Sequence, residues 1–235
     1  MIRRMAVMRT FAFLLAALLS AFSLECAAAP FAVRLGMEKI ALDALPGFTD
    51  TSDLASPRLQ DLAATLTAPS NRILLFALTD ADLRRFTNGD QLDPKRRYMM
   101  VVTPKALERE RVGAELFNAL VAESLQGLGK AEQVPDLPKF LESRPIGLAN
   151  FLAELRKTPR TVSVLQATRL PPLAGERMFD KATPQYLLFT TSFVLVRGKA
   201  LVLSVYTLFY DAADMDWLKV ATQRWVDDIQ RLNSH

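Results

Sequence analysis

The sequence predicts an α+β domain in which a β-hairpin lies in a sheet covered by helices on both faces. Three observations predict it. The stretch YLLFTTSFVLVRGKALVLSVYTLFY, Tyr186 to Tyr210, is almost wholly apolar but is broken by Arg197-Gly198-Lys199. A membrane helix would hold those two charges at the bilayer centre, at about 2.5–3.5 kcal/mol each, and arms of about ten residues are too short to span separately. A hairpin needs this punctuation, and the β-branched and aromatic residues of both arms suit strands. The second observation is that the arms lack polar alternation, which calls for burial on both faces. The third is the closing segment, where Leu218, Ala221, Trp225, Ile229 and Leu232 form a helical stripe that supplies one cover.

The elements follow in chain order. MIRRMAVMR is a basic segment without an acid, TFAFLLAALLSAFSL is an apolar core and ECAAAP supplies small residues. That order is the pattern of a secretory signal peptide, residues 1–28, cut after Ala28 and leaving one domain over 29–235. Export to the periplasm or the exterior is the expectation. Leu24-Glu25 before Cys26 argues against a lipoprotein. An uncleaved inner-membrane anchor is the alternative, although Glu25 interrupts the run of about 20 apolar residues that it requires.

Lys39 to Asp50 reads as a strand leading into a Pro-Gly turn, and SPRLQDLAATLT as a helix with Ser56 as N-cap and Pro57 at its first position. Asn71 to Thr79 and Arg96 to Thr103 read as buried strands. The polar stretch between them carries Asn-Gly and Asp-Pro turn signals and reads as a connection. From Leu107 to Leu128 the period is helical, with Val112, Leu116, Ala119 and Leu120 on one face. Pro135, Pro138 and Pro145 suggest short interrupted helices up to Leu155. Arg160 to Thr168 resumes as strand, and RLPPLAGERMFDKATPQ reads as a loop.

Composition excludes several chemistries. The 235 residues are 50% hydrophobic and carry 29 bases against 25 acids. Losing Arg3, Arg4, Arg9 and Glu25 with the leader leaves net +2, too little to make nucleic acid the expected partner. Cys26, the one cysteine, leaves with the leader, so the secreted domain has no disulfide. The one histidine is the terminal His235, which leaves a Ser-His-Asp or Cys-His arrangement without a base and His/Cys zinc sites without ligands. GLGK at Gly127 to Lys130 lacks the other glycines of a phosphate loop and reads as a helix end. DAADMD, Asp211 to Asp216, lacks the glycine and distal glutamate of a calcium loop. It reads as a helix cap through Asp211 or Asp214. Trp217 and Trp225 on the amphipathic closing segment read as core rather than a stacking site. No cofactor, metal or catalytic residue is expected.

LPGFTD, NRILLFAL, RRYMMVV, the closing hairpin and DMDWLKVATQRWVDDIQRLN follow one another in an order that resembles the PsbP-like superfamily, over most of residues 37–233. The resemblance implies a central antiparallel sheet flanked by helices, an α/β/α sandwich. It also implies a non-enzymatic binding or assembly role, without transferring a photosystem or GTPase partner. The expectation is therefore a non-catalytic binding or assembly protein whose partner is a protein of the cell envelope, with a membrane surface as a further contact. A small-molecule or lipid carrier is the second class. A hydrolase using two carboxylates is the third, with no pair to nominate. The candidate contact residues are Arg84, Arg85, Lys95, Arg96 and Arg97, which gather at one end of the sheet if the flanking strands pair. They suit an acidic partner or anionic headgroups. Asp80, Asp82, Asp90 and Asp93 offset them in the alternative, a solvated loop.

Overall fold

The computed structural model of the chain describes residues 30–52, 54–89, 97–132, 134–171 and 185–234. The expected leader with its cut after Ala28, the bases Lys95 and Arg96, and His235 lie outside the described residues.

The described residues begin with a hairpin, β1 (Phe31–Leu35) and β2 (Glu38–Leu42), and continue through β3 (Phe48–Asp50) into helix α1 (Pro57–Thr65). Strand β4 (Asn71–Thr79) leads into helix α2 (Asp80–Thr87), and β5 (Arg97–Pro104) into helix α3 (Ala114–Gln126) and the short α4 (Leu137–Glu142). The pairs β6 (Asn150–Thr158) with β7 (Thr161–Arg169) and β8 (Tyr186–Val196) with β9 (Lys199–Leu208) precede the closing helix α5 (Ala212–Leu232). Seven strands form one sheet in the order β3-β4-β5-β9-β8-β7-β6, and every neighbouring pair is antiparallel. The fold is α+β, and the apolar stretch after Tyr186 is its central hairpin. No helix among the described residues is long and apolar enough to cross a membrane.

The helices cover both faces of the sheet. Leu218, Ala221, Trp225, Val226 and Ile229 of α5 pack with Met99, Val101, Leu188, Leu203 and Val205, and the β1–β2 hairpin and α4 join this cluster. Each fully buried aliphatic side chain there contributes about 2 kcal/mol. On the other face, Leu59 and Ala63 of α1 pack on Phe76, Met100 and Val102, with Leu83 and Phe86 of α2 beside them. Phe117 and Val121 of α3 pack on Val162, Val164 and Leu195. Between those two groups the face is only half covered: Leu187, Phe189, Thr191 and Phe193 alternate with fully buried neighbours. The expected burial of both faces is thus complete under α5 and partial opposite it.

Several elements differ from the sequence reading. The connection after Thr79 begins with α2, because the Thr79 hydroxyl accepts from the Asp82 N–H and Asp80 and Asp82 fill the first turn. The face of α3 is set by Phe117 and Val121, while Leu116 stays 44% exposed, since the helix begins only after Gly113. The proline-broken region holds one short helix and then β6, whose pairing with the buried β7 overrides the helical character of NFLAEL. Ser56 and Pro57 take their expected places at the start of α1, although the Ser56 side chain makes no capping bond. Gly127 ends α3.

Candidate functional site

In an antiparallel sheet, alternate connections fall at the same end. The end that carries the β8–β9 turn, called the lower end here, also receives the β1–β2 turn, the loop after β5 and the β6–β7 turn. Arg197 and Gly198 form the β8–β9 turn with φ of 50° and 73°, the left-handed pair that suits a two-residue hairpin. Arginine in that conformation costs about 1 kcal/mol. The Arg197 Nε lies 3.5 Å from Glu38 Oε2 on β2.

Lys199, first residue of β9, organises the neighbouring segments. It is 4% exposed. Its Nζ donates to the carbonyls of Glu108 at 3.1 Å and Glu110 at 2.6 Å. The Val112 N–H donates to the Gly198 carbonyl at 2.8 Å. These bonds hold the 108–112 loop against the hairpin turn. Gly36 brings the β1–β2 turn onto the same loop: a Cβ there would meet the Arg109 Cα at 3.2 Å and the Lys199 Nζ at 3.3 Å. Arg72 ties the assembly to β4 by pairing with Glu108 and donating to the Arg34 carbonyl.

The consequence is an array of fixed backbones that present cations to solvent. Arg34, Lys39, Arg109, Arg111 and Arg160 are exposed and form no ion pair with another described residue. Met37, at the tip of the β1–β2 turn, is 93% exposed. Next to the array lies a cleft of about 580 Å³ between the β6–β7 turn, the end of β8 and the last turn of α5. Arg156, Arg160, Leu195, Gln230, Asn233 and Ser234 are among its lining residues. Arg156 pairs with Asp227, and the Gln230 amide donates to the Thr161 hydroxyl. The upper end is the more acidic one, with Asp50, Asp80, Asp82, Asp211, Asp214 and Asp216 in or beside its connections.

The residues named from the sequence belong to the upper end. Strands β4 and β5 pair as expected, which brings Arg84, Arg85 and Arg97 to the same end of the sheet. Arg84 and Arg85 occupy the last turn of α2, and the Arg84 Nε donates to the Asp80 carbonyl. Arg97 turns to the opposite face, where its guanidinium bonds Asp214 at 3.0 Å and lies 4.0 Å above the Trp217 ring. The sheet therefore stands between Arg97 and the α2 pair.

Asp214 closes a capping box with Asp211 at the start of α5, so the acidic cluster serves as the expected cap. Burial alone would raise its carboxyl. The Tyr210 N–H, the Arg97 guanidinium and the Asp211 N–H outweigh that and hold it below the ordinary aspartate value. Trp225 is core, as expected, and its indole donates to the Asp43 carbonyl, while Trp217 is only partly buried and stacks on Phe48 at the margin of the same cluster.

The sequence reading missed the lower end. Arg109 and Arg111 alternate with Glu108 and Glu110, which looks neutral along the chain. Part of the signal lay in the parity of the connections, which puts the loop after β5 and the β6–β7 turn at one end of the sheet; the β1–β2 hairpin, a sheet of its own, reaches that end only by packing. No family model matches the chain, and comparison with curated proteins and with solved structures found no match.

Proposed function

We propose that this chain is a non-catalytic binding or assembly protein of the cell envelope that meets an anionic partner through the lower end of its sheet. One observation carries the reading: Arg34, Lys39, Arg109, Arg111 and Arg160 converge there from three connections and stay unpaired with described residues. Fixed backbones preorganise the cations, so little ordering is lost on contact. Positive charge on one end speeds and orients an encounter with an acidic surface, and salt weakens it. Export by the 1–28 leader is part of this proposal, as is membership of the PsbP-like superfamily, which the antiparallel sheet and long closing helix favour. The composition supports a role without covalent catalysis, since His235 is the only histidine.

The test compares salt-sensitive association with envelope fractions for two charge variants. Lys39→Ser with Arg109→Ser and Arg111→Ser is expected to lose association, and Arg84→Ser with Arg85→Ser to keep it. The reverse pattern would move the contact to the upper end and refute the assignment. A carrier role is the second reading, favoured by the cleft of about 580 Å³, where Arg156 and Arg160 adjoin the apolar side chains Leu195 and Val196. It suits a small amphiphile with a carboxylate or phosphate. Native mass spectrometry of protein taken directly from its source tests it: a bound small molecule displaced by Arg160→Ser supports the carrier, and a bare mass rejects it.

A further inference from the structure

We infer that the anionic partner at the lower end is a phospholipid surface, with Met37 as the apolar group that enters it. This inference rests on the lower end being the contact surface and names what that surface meets.

The arrangement of charge and apolar surface points to lipid. The cations stand on three connections at one end of the sheet and are spread over its exposed surface. That geometry suits many diffuse phosphates in a plane better than one acidic side chain of fixed position. Met37 supplies the second element. It is 93% exposed at the tip of a two-residue turn, and Arg34 and Lys39 flank it as a directly opposed pair in the register of that hairpin. A large apolar side chain ringed by cations can pass between headgroups while the cations stay at phosphate level. Methionine is unbranched and adapts to a disordered acyl boundary. The tip is also braced: Gly36 packs on Arg109 and Lys199, and Lys199 in turn holds the 108–112 loop. Apolar tip and cationic ring therefore reach a surface together.

The experiment uses protein expressed from the full-length sequence and purified after the host's own processing, with its mass fixing the N-terminus. Vesicles of phosphatidylcholine alone are compared with vesicles of phosphatidylcholine and phosphatidylglycerol in equal parts. The protein is expected to sediment with the mixed vesicles, progressively less as salt rises, and not with the neutral ones. Arg34→Ser, Lys39→Ser and Arg109→Ser each remove a cation worth about fivefold near an anionic surface, so the triple variant binds about a hundredfold more weakly. Met37→Ser weakens binding about tenfold. Met37→Trp, in an otherwise unchanged chain, is expected to shift its emission to the blue on mixed vesicles and to be quenched by brominated acyl chains. Indifference to phosphatidylglycerol, or a bound Met37→Trp protein whose emission does not move, overturns the inference. If vesicles are ignored while Lys39→Ser with Arg109→Ser and Arg111→Ser still loses salt-sensitive envelope association, the partner is an acidic protein: the lipid inference falls and the lower-end reading stands. If neither association depends on these residues, both fall.

Discussion

Replacing Arg97 by Met separates a structural role for this residue from a contact role. The Asp214 side chain is 7% exposed and that of Arg97 31% exposed. Removing one partner of a fully buried pair costs about 3–5 kcal/mol. Here Asp214 keeps the N–H groups of Tyr210 and Asp211 as donors, and water already reaches the guanidinium. About 2 kcal/mol is the corresponding loss. Methionine keeps the packing on Trp217 but not the cation, a further loss of about 0.5–1 kcal/mol. At about 2–4 °C per kcal/mol for a domain of this size, the melting temperature at neutral pH falls by about 5–12 °C. The difference depends on pH with a definite sign. The lowered carboxyl of Asp214 contributes stability that is complete above the unfolded value, near pH 4, and drains as pH falls through the folded one. Thermal unfolding followed by circular dichroism is therefore expected to show a gap between wild type and Arg97→Met that narrows toward acid, and a coupling that vanishes in the Asp214→Asn background. Salt-sensitive association at the lower end stays unchanged. An unaltered melting temperature at neutral pH, or a gap that widens in acid, would refute the reasoning.

Two further changes probe how the lower end is held. Asn233 joins α5 to β2 through bonds to the Ala41 N–H, the Ala41 carbonyl and the Ile229 carbonyl, each at 2.8 Å. Asn233→Ala is expected to remove about 2–3 kcal/mol, read as a lower urea midpoint with an unchanged slope. Lys199→Met deletes both carbonyl bonds to the 108–112 loop, so the Val112 amide, which donates to Gly198, is expected to exchange faster with solvent deuterium while amides of β8 do not. Unchanged exchange at Val112 would mean that Lys199 does not brace the loop.

What was legible in the sequence was whatever burial wrote into it. The strands Asn71–Thr79 and Thr161–Arg169 lie within a residue of their expected limits because the first is dominated by the apolar run Ile73–Leu78 and the second is rich in β-branched residues. The closing hairpin was legible because two charges cannot sit at the centre of an apolar span. Helix α2 was not, since a single threonine cap and two acids outweigh the turn signals that follow. Strand β6 was hidden because NFLAEL is an equally good helix and only its pairing with β7 decides. The sequence did place Arg84, Arg85 and Arg97 at one end of the sheet, but not the face each takes. Arg97 goes to α5 because Asp214 waits there, more than a hundred residues away along the chain. The lower-end cations were illegible for a related reason. Arg34, Lys39, Arg109, Arg111 and Arg160 share no motif, and all but Arg160 stand within four residues of an acid in sequence. Strand order joins Arg109, Arg111 and Arg160, and the packing of the separate β1–β2 hairpin adds Arg34 and Lys39.

The most direct test of the central claim is site-specific photocrosslinking in intact cells, with a photoreactive phenylalanine placed in turn at Met37, Arg109, Arg84 and Phe189. These positions report two of the lower-end connections, the α2 end and the half-covered face of the sheet. Adducts from Met37 and Arg109, reduced by high salt during labelling of isolated envelopes, with none from Arg84 or Phe189, are the predicted result. Adducts confined to Arg84 or Phe189 would contradict the account and place the working surface elsewhere on the fold.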